Sequence, residues 1–320
     1  MRQQGKRQQG KRHQGEHGPR PDNIRTWRVD ADGTLADVAA RILSDHTPTK
    51  VKSMLKHRQF AVNGMPTSQF DHPVKAGDEF SVNFDKSFIV FRHPRIKLVY
   101  EDEHIMVIEK GYGILSMGTE NVKTGTAYSI MREYVKVHNP KAQVFIVHRL
   151  DRDTSGLMML AKTAEAKDAM QHNWNNMVLS RKYIAVVEGV MEKESGEVRS
   201  YLAENSKFEV YSTDDPSSGQ LAVTRYRTLA VGGGYSLVEL ELDTGRKNQI
   251  RVHMKDLGHP ICGDRKYGAG VSPIHRVALH AQTLRFVHPI TRKDMNFTTP
   301  IPAPFKSLLH KQVKSERSGM

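Results

Sequence analysis

An apolar run, Val144-Phe145-Ile146-Val147, stops abruptly at His148-Arg149-Leu150-Asp151-Arg152-Asp153-Thr154-Ser155-Gly156-Leu157. A short apolar run bounded by turn residues reads as a buried strand. The chain is thereby committed to delivering a carboxylate, Asp151, to the point where a strand ends and the backbone bends. Reactive groups are often carried there, on a loop held by a rigid element. Arg149 and Arg152 flank the acid. Either they neutralise Asp151 and Asp153 on a solvated loop, or they surround a reactive carboxylate with positive charge.

A length of 320 residues suits two domains and a tail rather than one small core. The formal net charge of +13 points to a polyanionic partner, either nucleic acid or an anionic membrane surface. No apolar run approaches the roughly 20 residues that span a bilayer. No basic amphipathic helix presents Trp or Phe to a membrane surface either. Nucleic acid is the better reading. With Cys262 as the single cysteine, neither an intrachain disulfide nor a Cys-rich zinc motif is available. The spacing of His253, His259 and Cys262 fits no zinc pattern, so no metal is expected. The N-terminal residues lack the apolar core of a secretory signal, and a cytoplasmic location is expected.

Residues 1–24 repeat Gln-Gln-Gly-Lys-Arg and carry almost nothing apolar, so a disordered basic tail is expected there. A small module follows over 25–85. Leu35, Val38, Ala39, Ile42 and Leu43 have helical spacing, with Thr34 and Asp37 placed to cap the helix. A second helix over 49–57 carries Lys52 and Lys56 on its surface, with Arg58 just beyond. Strands are expected over 60–64 and 79–84. After a linker over 86–95, a larger domain over 96–310 shows strands near 98–100, 105–109, 183–187 and 237–242. Helices are expected over 127–138 and 165–175, and residues 311–320 form a tail. Gly232-Gly233-Gly234 reads as a hairpin turn. Many strands with few, irregularly spaced helices predict an α+β domain with a mixed or antiparallel sheet.

The stretch His148-Arg149-Leu150-Asp151 with Thr154-Ser155-Gly156-Leu157 resembles the signature of RluA-type pseudouridine synthases in all its fixed positions. Arg181-Lys182-Tyr183-Ile184-Ala185, then Gly245-Arg246-Lys247-Asn248-Gln249-Ile250-Arg251, follow in the family's order. Gly263-Asp264-Arg265-Lys266-Tyr267-Gly268 and Leu279-His280-Ala281 also match, as do Asp102, Lys110 and Gly113. The likeness spans about residues 95–306. Asn248 stands where the family more often has His, and Gly111-Tyr112 replaces Pro-Ala. Two helices, a basic edge and a Val-Asn-Gly…Gly-Asp ending make the small module similar to the RNA-binding module of ribosomal protein S four.

The resemblance implies a cofactor-free isomerisation of uridine to pseudouridine in RNA, acting on a flipped nucleotide. It implies that Asp151 acts on the sugar, that Tyr183 packs against the base, and that Arg251 forms a salt bridge with Asp151. Such a pairing would hold the carboxylate ionised. Arg149 would fill the space of the flipped nucleotide, and Arg152, Arg246, Lys247, Lys52, Lys56 and Arg58 are expected to contact RNA. A monomer acting on ribosomal RNA, in preference to transfer RNA, is expected. Two other readings are a non-catalytic assembly factor, which has no need of Asp151, and a glycosidase. The latter requires a second carboxylate, for which Asp153 is badly placed.

Overall fold

The structure, a computed structural model, describes residues 23–310 apart from 64, 86, 89, 90 and 139. The two expected tails lie outside the described residues, except that Ile24 opens the first strand. The chain divides into two compact units, residues 1–90 and 91–320.

The smaller unit runs β1 (Ile24–Arg28), β2 (Gly33–Thr34), α1 (Leu35–Ile42), α2 (Pro48–Lys56), β3 (Phe60–Val62), β4 (Met65–Pro66), β5 (Pro73–Val74) and β6 (Glu79–Asn83). Helix α1 starts where its apolar spacing says it should. The Thr34 amide donates to the Asp37 carboxylate at 3.0 Å and the Asp37 amide to Thr34 Oγ1 at 3.2 Å. This reciprocal cap satisfies two amides that the first turn leaves free. In α2, Thr47 caps the helix and Pro48 occupies the first turn, where a missing N–H breaks no bond. The antiparallel sheet β1-β6-β3-β4 closes over Leu35, Val38, Met54, Phe60, Phe80 and Val82. Lys52 and Lys56 are exposed on α2, and Arg58 is half-buried with φ 59°.

The larger unit begins with β7 (Ile96–Glu101), β8 (Ile105–Lys110), α3 (Ala127–His138), β9 (Phe145–Ile146), β10 (Ser155–Ala161), α4 (Ala164–His172) and α5 (Trp174–Met177). It continues through β11 (Val178–Glu188), β12 (Ser195–Glu204), β13 (Val210–Thr213), β14 (Gln220–Gly232), β15 (Tyr235–Leu242), α6 (Gln249–Asp256), β16 (Leu279–Val287), β17 (Asp294–Thr298) and α7 (Ala303–His310). Its sheet is ordered β13-β12-β14-β15-β11-β16-β10-β8-β7, with β17 on β16 and β9 on β10. Strands β10 and β16 run parallel, whereas β10 is antiparallel to β8 and β11 to β15 and β16. This is the mixed sheet of the expected α+β class.

Helices cover both faces. Met106, Ile108, Met158 and Leu160 meet Ala127, Met131 and Val135 of α3. Ile105, Val107, Leu157 and Met159 meet Ala166 and Met170 of α4. Further along, Ile250 and Met254 of α6 and Phe305 and Leu308 of α7 pack with Ile184, Val186 and Leu240.

One sequence expectation is corrected. The run 144–147 forms only the two-residue β9, half-buried against β10. The buried strand that fixes the turn is β10, on the other side of Asp151, and all seven of its residues are buried. Helix α6 begins at Gln249, directly after Asn248, whose backbone is left-handed with φ 54°. One glycine is required by contact. Gly156 has φ 118°, and a Cβ there would overlap the carbonyl oxygen and amide nitrogen of Ala281 on β16.

Candidate active site

The turn between β9 and β10 is clamped from several sides. His148 Nε2 accepts the Met159 amide of β10 at 2.9 Å. Burial pushes this imidazole down to about 3, so it stays neutral and keeps that nitrogen free to accept. Ser116 Oγ donates to the Leu150 carbonyl at 2.6 Å and accepts the Leu150 amide at 2.9 Å. The Gly113 amide donates to the Arg152 carbonyl at 2.8 Å, and the Thr154 amide to the Asp151 carbonyl at 3.2 Å. Beneath the turn lies the fully buried Lys110, whose ammonium donates to the carbonyls of Ile114 and Gly111 at 2.9 and 3.0 Å. Burial lowers Lys110 to about 8, against the pull of Asp151 and Asp153. Asp151 is thus placed by a rigid surround rather than by its own side-chain bonds.

Asp151 lines a cleft of about 470 Å³ together with Arg149, Trp174, Arg181, Tyr183, Arg246 and Arg251. The carboxylate is only partly open to this cleft. Loss of hydration raises its pKa above the ordinary value, opposed first by Arg251, then by Arg149 and Lys110. A neighbouring guanidinium alone would lower it, as expected from the sequence. Desolvation wins.

Arg251 is not in the expected salt bridge with Asp151. It is held by Asp264, with Nε and Nη2 each donating to one carboxylate oxygen at 2.7 Å. Nη1 donates to Asn248 Oδ1 at 3.1 Å, and the guanidinium lies 4.8 Å from the centre of the Tyr267 ring. Asn248 Nδ2 in turn donates to the Tyr267 hydroxyl at 2.9 Å. Burial works against the charge on Arg251, but Asp264 and, less strongly, Asp151 keep its pKa raised. A guanidinium fork matched to one carboxylate is rigid. Arg251 therefore acts on Asp151 as a fixed charge across the cleft. Asparagine suits position 248 physically, since it tolerates the left-handed backbone and binds two partners at once.

Tyr183 comes from β11 at a point where the register against β16 slips between Lys182 and Tyr183. Such irregularities re-aim side chains beside active sites. Desolvation pushes its hydroxyl up to about 12, so it remains protonated. Beside it, Arg181 sits 5.8 Å from the centre of the Trp174 ring and donates to the Leu242 carbonyl at 3.3 Å. A Cβ at Gly245 would lie 2.6 Å from its Nη1. Nothing local to Arg181 in the sequence marks it as a cleft residue, and its place there comes only from the fold.

The remaining expected RNA contacts divide. Arg149 and Arg246 line the cleft, both exposed. Arg152 instead meets Asp153 at 3.4 Å and does not line it. Lys247 pairs with Glu204 in a neighbouring groove. Lys52, Lys56 and Arg58 belong to the smaller unit. Among the described residues, no cluster of three or more His, Cys, Asp or Glu side chains is placed to hold a metal ion.

Residues 104–256 match the family model described as RNA pseudouridylate synthase. An uncharacterized RNA pseudouridine synthase of Bacillus subtilis is 33% identical over 263 residues, covering 81% of this chain and 86% of the relative. A ribosomal large subunit pseudouridine synthase D of Pasteurella multocida is 31% identical over 295 residues, covering 86% and 90%. Among solved structures, human RNA pseudouridylate synthase domain containing 4 superimposes with a TM-score of 0.54 at 26% identity. That match covers 67% of this chain and 91% of the human one.

Proposed function

The chain belongs to the RNA pseudouridylate synthase family and is an RNA pseudouridine synthase, and from that premise we propose that it converts uridines of large-subunit ribosomal RNA through Asp151. The observation carrying this reading is a carboxylate, Asp151, in a cation-lined cleft, on a turn that bonds from Ser116, His148 and Gly113 hold still. A cleft of about 470 Å³ is of a size that takes a compact ligand such as one everted nucleoside. Relatives carrying the printed name ribosomal large subunit pseudouridine synthase D support the choice of RNA.

The isomerisation breaks the bond between uracil N1 and C1′, turns the base, and joins C5 to C1′. A proton leaves C5 and N1 gains one, so atoms and electrons balance without a cofactor. A uridine within a duplex must first be everted, at a cost of a few kcal/mol. Arg149, exposed at the cleft rim, takes the place of the everted nucleotide. Asp151 acts on the sugar, by attack at C1′ or by taking a proton from C2′. Arg251, fixed by Asp264, opposes protonation of Asp151, and Tyr183 packs its ring on uracil. The smaller unit contributes an S-four-type RNA-binding surface through Lys52, Lys56 and Arg58.

Chemical mapping of pseudouridine in RNA from cells lacking this chain tests the reading. Loss at one or a few large-subunit uridines is expected. Loss only in transfer RNA would refute the proposed substrate.

The raised pKa of Asp151 fixes the sign of a pH effect. Only the ionised form acts, so kcat/KM falls as pH drops through the folded-state pKa, and this acid limb lies above the ordinary carboxylate range. Arg251→Met removes the strongest opposing charge and should move the limb to higher pH. An unmoved limb in the kcat/KM profile would count against Arg251 as an electrostatic partner.

Tyr183 separates into ring and hydroxyl. Tyr183→Phe keeps the stacking face and should lower kcat by about a hundredfold, the lower end of proton-transfer contributions, with KM little changed. Tyr183→Leu should raise KM as well. Steady-state kinetics on a transcribed RNA checks both, and a Phe variant as fast as wild type would leave the hydroxyl without a part.

A further inference from the structure

Phe208 stands at the tip of the hairpin joining β12 and β13, 72% exposed, more than any other large apolar side chain among the described residues. Its backbone is left-handed, with φ 59°, a conformation disfavoured for any residue bearing a Cβ. The turn around it is nevertheless tightly built. Asn205 Oδ1 accepts the amides of Lys207 and Glu209 at 2.9 and 3.0 Å, and the Phe208 amide donates to the Asn205 carbonyl at 2.9 Å. Below the tip, Leu202 and Val210 pack with Val252 of α6 and with Tyr267. The ring is held outward by a rigid hairpin. Strain of this kind, paid in an exposed turn, is commonly tied to function.

Cations surround the ring. Lys247 Nζ lies 5.9 Å from the ring centre, and Lys266 Nζ donates to the Phe208 carbonyl at 3.2 Å. Lys207 is exposed on the same turn. The cleft is adjacent on both sides. Lys247 follows Arg246, which lines the cleft, and Lys266 precedes Tyr267, which stacks under Arg251.

We propose that Phe208 is a stacking platform for an unpaired base of the RNA next to the everted nucleotide, with Lys247 and Lys266 taking the flanking phosphates. Sites for single strands combine aromatic faces with cations along the backbone, and stacking accepts any base. A protein partner fits poorly, because protein interfaces are depleted in lysine and Lys207, Lys247 (itself paired with Glu204) and Lys266 stand close to this ring. The inference rests on the reading that the substrate is RNA, but concerns a site outside the cleft.

The test uses the full chain and a fluorescein-labelled oligouridylate, followed by fluorescence anisotropy. Phe208→Ala should weaken binding by about 5- to 100-fold, and Phe208→Trp should retain wild-type affinity. Phe208→Ala should also raise KM on a transcribed RNA while leaving kcat at saturation unchanged. Equal affinity for the Ala variant overturns the proposal, as does full rescue by Phe208→Leu, which has bulk but no ring. Melting temperatures of these exposed variants should match wild type. If wild type makes no pseudouridine yet Phe208→Ala still loses affinity, the platform stands and the reading of the cleft falls. If wild type is active and the Ala variant binds equally, the platform alone falls.

Discussion

Asparagine at position 151 is expected to stop pseudouridine formation while leaving RNA bound and the protein more stable than wild type. The substitution keeps the shape of the side chain but removes both its negative charge and its basicity. Loss of the group proposed to act on the sugar should lower the single-turnover rate by at least about ten-thousand-fold, the scale seen when an essential nucleophile or base is removed. The affinity for RNA should hold or improve, because an anion facing a polyanionic ligand has been neutralised. The stability effect follows from the sign of the pKa shift. A carboxyl whose folded-state pKa is raised stabilises the fold when protonated, and that contribution is lost as pH rises through the folded-state value. At neutral pH the ionised Asp151 therefore burdens the fold, and asparagine relieves it. A higher melting temperature at neutral pH is expected. Calorimetry alongside product analysis checks both halves. An active variant would end the assignment, and a less stable one would show that Asp151 is held by attraction rather than stranded by desolvation.

Replacing Asp264 with asparagine should produce the largest loss of stability. Arg251 and Asp264 are both almost fully buried, and their two bonds of 2.7 Å use both carboxylate oxygens. An amide at this position presents a donor to a donor and leaves a guanidinium charge uncompensated. Breaking one side of a buried pair costs about 3–5 kcal/mol, a large share of the roughly 5–15 kcal/mol that holds a domain together. Denaturant titration reads this directly. Catalysis should fall too, by roughly a hundredfold, because Arg251 loses the fork that fixes its distance from Asp151. The double variant Arg251→Met with Asp264→Leu separates these effects. Apolar replacement of a whole buried pair is often near neutral for stability, so the fold should recover while activity stays low. A single variant within about 1 kcal/mol of wild type would mean that water reaches this pair.

Much of the smaller unit was legible because α1 shows a helical period and carries its own capping residues, Thr34 and Asp37. Helix α3 was legible for the first of those reasons and spans the expected residues. Strand β10 was not, because it is covered on both faces and shows a continuous apolar run instead of alternation. Strands β12 and β14 were missed for the opposite reason. Their outer faces carry Glu197, Arg199, Arg225 and Arg227, which form ion pairs within and across strands and read in one dimension as a polar loop. In the cleft, Asp151, Tyr183 and Arg251 could be named from local motifs. The partner of Arg251 could not. The sequence offers several carboxylates for one guanidinium, and it is the fold that brings Asp264 to it. Ser116 and Lys110 escaped notice as clamps because their bonds go to backbone carbonyls, which leave no trace in side-chain chemistry.

The parallel contact of β10 with β16 joins residues 125 positions apart, with Ser155 Oγ 2.8 Å from His280 Nδ1. Distant pairings form slowly, since a long loop must close before they give anything back. The turn bearing Asp151 enters β10 directly, so the placing of this acid waits on a partner strand that is synthesised more than a hundred residues later. Under the role proposed for Asp151, a chain terminated before β16 is expected to make no pseudouridine, however much of the rest has been translated.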